Sequence, residues 1–204
     1  MEVTNYQIIF IINNIMYNFM KRIIFLFSII ISNVIFAQSV KDLDIKNGFK
    51  HFKLGSTPNQ IKNIKKEERQ FDQSPNISEY IYIGKDIKTV FFVPVSHINL
   101  TFFKNKLYSI QVIFGDIDKE FTQGQFQEIL SALENAYGRK WHQPTNETGV
   151  ITDGAIWNGE KVRLELFRVN FSKSYSEPSD YDLNTGYIQV YDKEMQRQRS
   201  LSEF

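Results

Sequence analysis

The chain has 204 residues, 15% of them aromatic, and no cysteine. A globular core is therefore within reach, whereas disulfides, thiolate metal sites, a cysteine nucleophile and a lipoprotein-type cysteine anchor are excluded. Lys and Arg number 24 against 23 Asp and Glu; removing residues 1–37 takes away Lys21, Arg22 and Glu2 and leaves the two signs equal. That balance gives no electrostatic basis for a nucleic-acid partner or for adhesion to an anionic membrane surface.

Met20-Lys-Arg precedes an apolar run from Ile23 to Phe36, and Ala37 closes it. A basic start, a short apolar stretch and a small residue at the cut define a secretory signal peptide over residues 20–37. Residues 1–19 read as a gene-model extension ahead of Met20. Lys21 and Arg22 separate two apolar runs, neither of which reaches the roughly 20 residues of a spanning helix. The expectation is an exported protein, periplasmic or secreted, with no stable membrane anchor once the signal is removed.

The remaining chain, 38–191, reads as one α+β domain followed by a polar tail, 192–204. Gln38 to Lys46 is a polar lead-in, and Asn47-Gly48 signals a turn. Thr57-Pro58-Asn59-Gln60 has the pattern of a capping box with Pro at the first helical position, predicting a helix to about Arg69. Glu79 to Ile83 and Ile87 to Val93 read as strands, the second ended, or placed at a sheet edge, by Pro94.

The clearest alternation runs from Ile98 to Phe114 and predicts a hairpin. A three-residue turn, Lys104 to Lys106, would pair Phe102 with Tyr108, Leu100 with Ile110 and Ile98 with Val112. It would place Tyr108, Ile110, Val112 and Phe114 on one buried face. The opposite face would carry Asn99, Thr101, Ser109 and Gln111, a polar surface suited to binding.

Thr122 and Gln125 form a second capping box, with Phe126, Ile129, Leu130, Leu133 and Tyr137 on one stripe of a helix that Gly138 stops. Asn158-Gly159 predicts a hairpin pairing Ala155 with Val162. It would bury Val162, Leu164 and Leu166 and turn Lys161, Arg163 and Glu165 to water. Tyr187 to Tyr191 is a last strand, and the tail reads as a frayed helix. The fold class is α+β, with helices packed on one face of an antiparallel sheet and two tandem helix-plus-meander repeats, 48–115 and 116–191.

Gly48-Phe-x-x-Phe-x-Leu-Gly-Ser56, the strand Lys106-Leu-Tyr-Ser-Ile-Gln-Val112 and the helix end Ala136-Tyr-Gly138 resemble small exported proteins of Bacteroidetes-type bacteria. Their layout is similar to SmpA/OmlA-like envelope domains and to the tandem β-lactamase-inhibitor-protein fold. The likeness spans Gly48 to Tyr191 and implies a binding or scaffolding module rather than an enzyme. It transfers no functional residue, and the absent lipoprotein cysteine departs from the SmpA/OmlA pattern.

Chemistry-bearing motifs are sparse. His51, His97 and His142 have no neighbour at metal-ligand spacing. Asp180, Asp182 and Asn184 alternate as in a calcium loop, but Gly and Glu fall at the wrong positions for an EF-hand. No Gly-x-Ser-x-Gly, Walker or His-Glu-x-x-His motif occurs. Trp141, His142, Tyr175 and Tyr181 are exposed-aromatic or polar candidates for an interface. Asn76, Asn99, Asn146 and Asn170 begin Asn-x-Ser/Thr triplets, which an Asn-rich chain produces by chance. The reading is a non-enzymatic module, without cofactor or metal, for a protein or envelope partner. A small hydrolase using Asp or Glu residues with a calcium-assisted loop is the alternative.

Overall fold

A computed structural model of the chain describes residues 16, 20–21, 39–68, 74, 76–116, 118–146, 149–170 and 184–202. The chain divides into two compact units, 1–37 and 38–204, and the second carries the fold.

Its architecture is mixed α and β, dominated by a seven-stranded antiparallel sheet. In chain order the elements are α1 (Val40–Lys46), β1 (Gly48–Phe49), β2 (Phe52–Lys53), β3 (Ile64–Lys66), β4 (Ile77–Tyr82), β5 (Thr89–Val90), β6 (Val93–Pro94) and β7 (His97–Phe103). They continue with β8 (Lys106–Phe114), α2 (Gln123–Tyr137), β9 (Ile151–Asn158), β10 (Val162–Val169), β11 (Thr185–Asp192) and α3 (Lys193–Leu201). The large sheet runs β3-β4-β7-β8-β11-β10-β9, and β1-β2 and β5-β6 are small separate ribbons.

One sheet face makes the main core. Ile98, Leu100 and Phe102 of β7, Leu107, Ile110 and Val112 of β8, Ile188 and Val190 of β11 and Leu164 and Leu166 of β10 are buried there. The α2 stripe Phe126, Ile129, Leu130, Leu133 and Tyr137 completes it, as its helical spacing predicts. The α2 capping box is made: the Gln125 amide N–H donates to Thr122 Oγ1 at 3.2 Å, and Thr122 N–H donates to Gln125 Oε1 at 2.9 Å. Leu43 of α1 joins the same core. On the other side of the sheet, Met195 of α3 packs against Ile77, Phe103 and Tyr108.

Four local expectations are corrected. The helix predicted after Thr57 is a single 3-10 turn, Pro58–Gln60, and Ile64–Lys66 is drawn into the sheet beside Tyr80 to Tyr82. The capping groups are used, since Gln60 Oε1 accepts from Thr57 N–H at 2.9 Å. However, Ile61 and Ile64 alone offer too little apolar stripe to outweigh strand pairing. The helix forms earlier instead, at Val40–Lys46, with Ser39 and Asp42 as its capping box.

The strand expected over Ile87 to Val93 is a tight ribbon that reverses at Phe91 and Phe92, both with left-handed φ (50° and 68°).

The central hairpin turns on two residues, Lys104 (φ 48°) and Asn105 (φ 64°). A bulge then restores the register: Phe102 faces Leu107 while Thr101 faces Ser109. Tyr108 is the extra residue, turned to the second face beside Phe103. Leu100 opposite Ile110 and Ile98 opposite Val112 stand as predicted.

In the β9–β10 hairpin Ala155 faces Leu166, not Val162. The Asp44 carboxylate of α1 accepts the backbone N–H groups of Glu160, Lys161 and Val162 at 2.7–2.9 Å, fixing a wider turn. That tertiary clamp overrides the Asn158-Gly159 turn signal.

Candidate functional site

Because directly opposed residues in an antiparallel sheet point the same way, the second face can be read as rows crossing the strands. The central row is Ile81, Asn99, Gln111, Gln189, Glu165 and Ile156. Beside it run Glu79, Thr101, Ser109, Tyr191 and Arg163. On the other flank are His97, Ile113, Tyr187 and Phe167. Apolar clusters close both ends: Ile77, Phe103 and Tyr108 with Met195, and Ile156, Phe167 and Val169. Between them lies a belt of amides, hydroxyls and carboxylates.

Asn99, Thr101, Ser109 and Gln111 are thus brought together, with Ser109 buried and the other three half-buried. A concavity of about 290 Å³ opens above them, lined by Glu67, Glu79, Ile81, His97, Asn99, Thr101 and Gln111. Among the described residues, the side chains of Asn99, Thr101 and Gln111 make no hydrogen bond, while Gln189 Nε2 donates to Ser109 Oγ at 3.0 Å. The polar atoms of Asn99, Thr101 and Gln111 stay open to solvent, so water satisfies them until a ligand's hydrogen-bonding groups take its place. Burial lowers the pKa of His97 from its ordinary 6.5, with Glu67 opposing the shift.

The belt continues to a charged pair. Glu165 is 8% exposed, corrects the expectation that it faces water, and receives Arg163 Nη2 at 2.8 Å and the Tyr191 hydroxyl at 3.4 Å. Burial raises the Glu165 pKa and Arg163 works against it. Tyr191 is pushed up to about 12 by burial and by Glu165. Arg163 Nε is buried without a partner among the described residues.

The other predicted residues lie apart. Trp141 covers the end of α2, donating from Nε1 to Glu134 Oε1 at 2.8 Å and leaning on Trp157. His142 is exposed, and its backbone pairs with Ile156 on the outer edge of β9. His51 sits in a second, more open hollow of about 760 Å³, 3.6 Å from Asp86, which also accepts the Tyr82 hydroxyl. The three histidines occupy three places. Asn184 donates to Glu120, and Tyr175, Asp180, Tyr181 and Asp182 fall outside the described residues. Among the described residues, no group of three or more His, Asp or Glu side chains is placed to hold a metal.

Sequence reading missed Glu67, Glu79, Gln189, Tyr191, Arg163 and Glu165 as neighbours of the polar belt. The sequence predicts Tyr187 to Tyr191 only as a last strand, which the structure extends to Thr185–Asp192. What sequence reading lacked was the pairing of β11 with β8, about 80 residues away in sequence.

Fold and site together define an α+β domain whose sheet presents one face to a core and keeps a polar belt on the other. No protein-family model, curated protein or solved structure matches the chain.

Proposed function

We propose that the chain is an exported, non-enzymatic binding module, associated with the cell envelope or with a protein of it, that holds its partner on the second face of the sheet. The observation that carries this reading is the set of half-buried, unpartnered side chains Asn99, Thr101 and Gln111 beneath a concavity. Rigid strands on either side fix these groups before a partner arrives, which spares ordering cost on binding. In the same reading the module is a tandem pair that meets where β8 pairs with β11, with α1, and not a helix after Thr57, as the helix of its first half. The signal-like segment 20–37 accounts for delivery, and no helix among the described residues is long and apolar enough to cross a membrane.

Co-sedimentation with isolated bacterial envelopes tests the reading. The parent protein should pellet with the envelopes, and Asn99→Ala/Gln111→Ala, checked for native circular dichroism, should stay in the supernatant. Equal pelleting of both proteins would remove this face as the binding surface.

A further inference from the structure

Resting on that reading, we infer that the ligand of the polar belt is a neutral oligosaccharide. Saccharide hydroxyls both donate and accept, and so do the groups offered here: the amides of Asn99 and Gln111 and the hydroxyl of Thr101, with a carboxylate acceptor at Glu67. An anion is disfavoured, because two carboxylates and no Lys or Arg stand among the described lining residues. Burial disfavours the charged form of His97. An apolar ligand would strand the unpartnered amides, at a cost that opposes binding.

The shape agrees. A volume of about 290 Å³ is at the lower end of small-molecule sites, roughly 300–1,000 Å³, and suits one or two sugar rings. The amide row extends beyond it: Asn99, Gln111 and Gln189 lie on three neighbouring strands, spanning about 10 Å at the usual strand spacing. Tyr187 and Tyr191 flank the row on either side of Gln189, and both are half-buried. Tyr187 packs edge-on against Phe167 and Tyr191 has the Arg163 guanidinium over its ring, so the two add a partly apolar border to the row. The belt therefore carries hydrogen-bonding groups in its middle and aromatic rings at its borders.

The test follows the side-chain amide signals of Asn99, Gln111 and Gln189 by nitrogen-15 NMR. Chitotetraose, cellotetraose and maltotetraose are added in turn to the purified protein, and spermidine serves as a cationic probe. At least one tetrasaccharide should shift all three signals with a millimolar or tighter Kd, and Asn99→Ala/Gln111→Ala should weaken it about tenfold or more. If that variant fails to fold, Asn99→Asp/Gln111→Glu keeps the shapes, replaces donors by charge, and should weaken binding as much. No shift with any of the three up to roughly 10 mM, or a shift with spermidine alone, would overturn the saccharide assignment. Loss of envelope co-sedimentation in the same variant would then leave the broader reading standing, and its retention would remove both.

Discussion

Asp44 shows how one side chain fixes a distant turn. Its carboxylate takes three consecutive backbone N–H groups of the β9–β10 hairpin, more than a hundred residues later in the chain. A β-carbon at Gly159 would lie 2.5 Å from Asp44 Oδ1, so this close approach requires glycine. Partial burial raises the Asp44 pKa, but the three N–H donors, with Lys193 nearby, outweigh it and bring the value below the ordinary 3.8. A depressed acid pKa means a stabilising contribution present above about 3.8 and lost as pH falls through the lower, folded value. Charged hydrogen bonds contribute about 1.5–3 kcal/mol when buried; Asp44 is half-exposed, so Asp44→Asn should cost about 1 kcal/mol at pH 7. Urea unfolding of both proteins checks this, and the gap should close as the pH is taken below 3.8. A gap that persists unchanged at low pH would show that the carboxylate's charge is not what the turn uses.

Elements with strong local patterns were legible before any pairing was known. The α2 stripe and its caps, the alternation of β7 and the buried Val162, Leu164 and Leu166 follow from spacing alone. Elements decided by partners were not. Ile64–Lys66 is a strand because β4 lies beside it, and Tyr108 faces away from the main core because a two-residue turn needs a bulge to keep Leu100 opposite Ile110. The polar face was half legible: β7 and β8 displayed their amides, whereas Gln189 and Glu165 joined them only through long-range pairing.

The β5–β6 ribbon defies local preference. Phe91 and Phe92 occupy left-handed positions normally given to Asn and Gly. Buried Val90 and Val93 anchor the ribbon to the core, while Phe92 is left 95% exposed. A bulky residue in that conformation costs about 1–2 kcal/mol, and Gly in its place gives back about 0.5–1 kcal/mol through unfolded-chain entropy. Phe92→Gly should therefore raise stability by about 0.5–1 kcal/mol, read as a higher melting temperature. A lower one would mean that the phenyl ring holds the ribbon in place.

At the scale of the whole molecule, an open seven-stranded sheet has two edges, and unpaired edge groups invite pairing with another copy. The two edges are managed differently. At β9, His142 occupies part of the edge through reciprocal backbone bonds with Ile156 of 3.1 and 2.9 Å, and the Asn146 side chain binds both backbone groups of Ile151. At β3 the strand is only three residues long and carries exposed Lys65 and Lys66. Shortness and charge are what keep such an edge monomeric. Replacing both lysines with β-branched neutral residues, Lys65→Thr/Lys66→Val, removes the repulsion between facing copies and raises strand propensity. The double variant should dimerise or aggregate at about 100 µM while the parent does not, a difference of at least tenfold in association that light scattering after gel filtration would detect. High salt sharpens the test, because screening the lysines should move the parent toward the variant. If the variant and the parent remain equally monomeric in both conditions, the length of β3 and not its charge is what protects this edge.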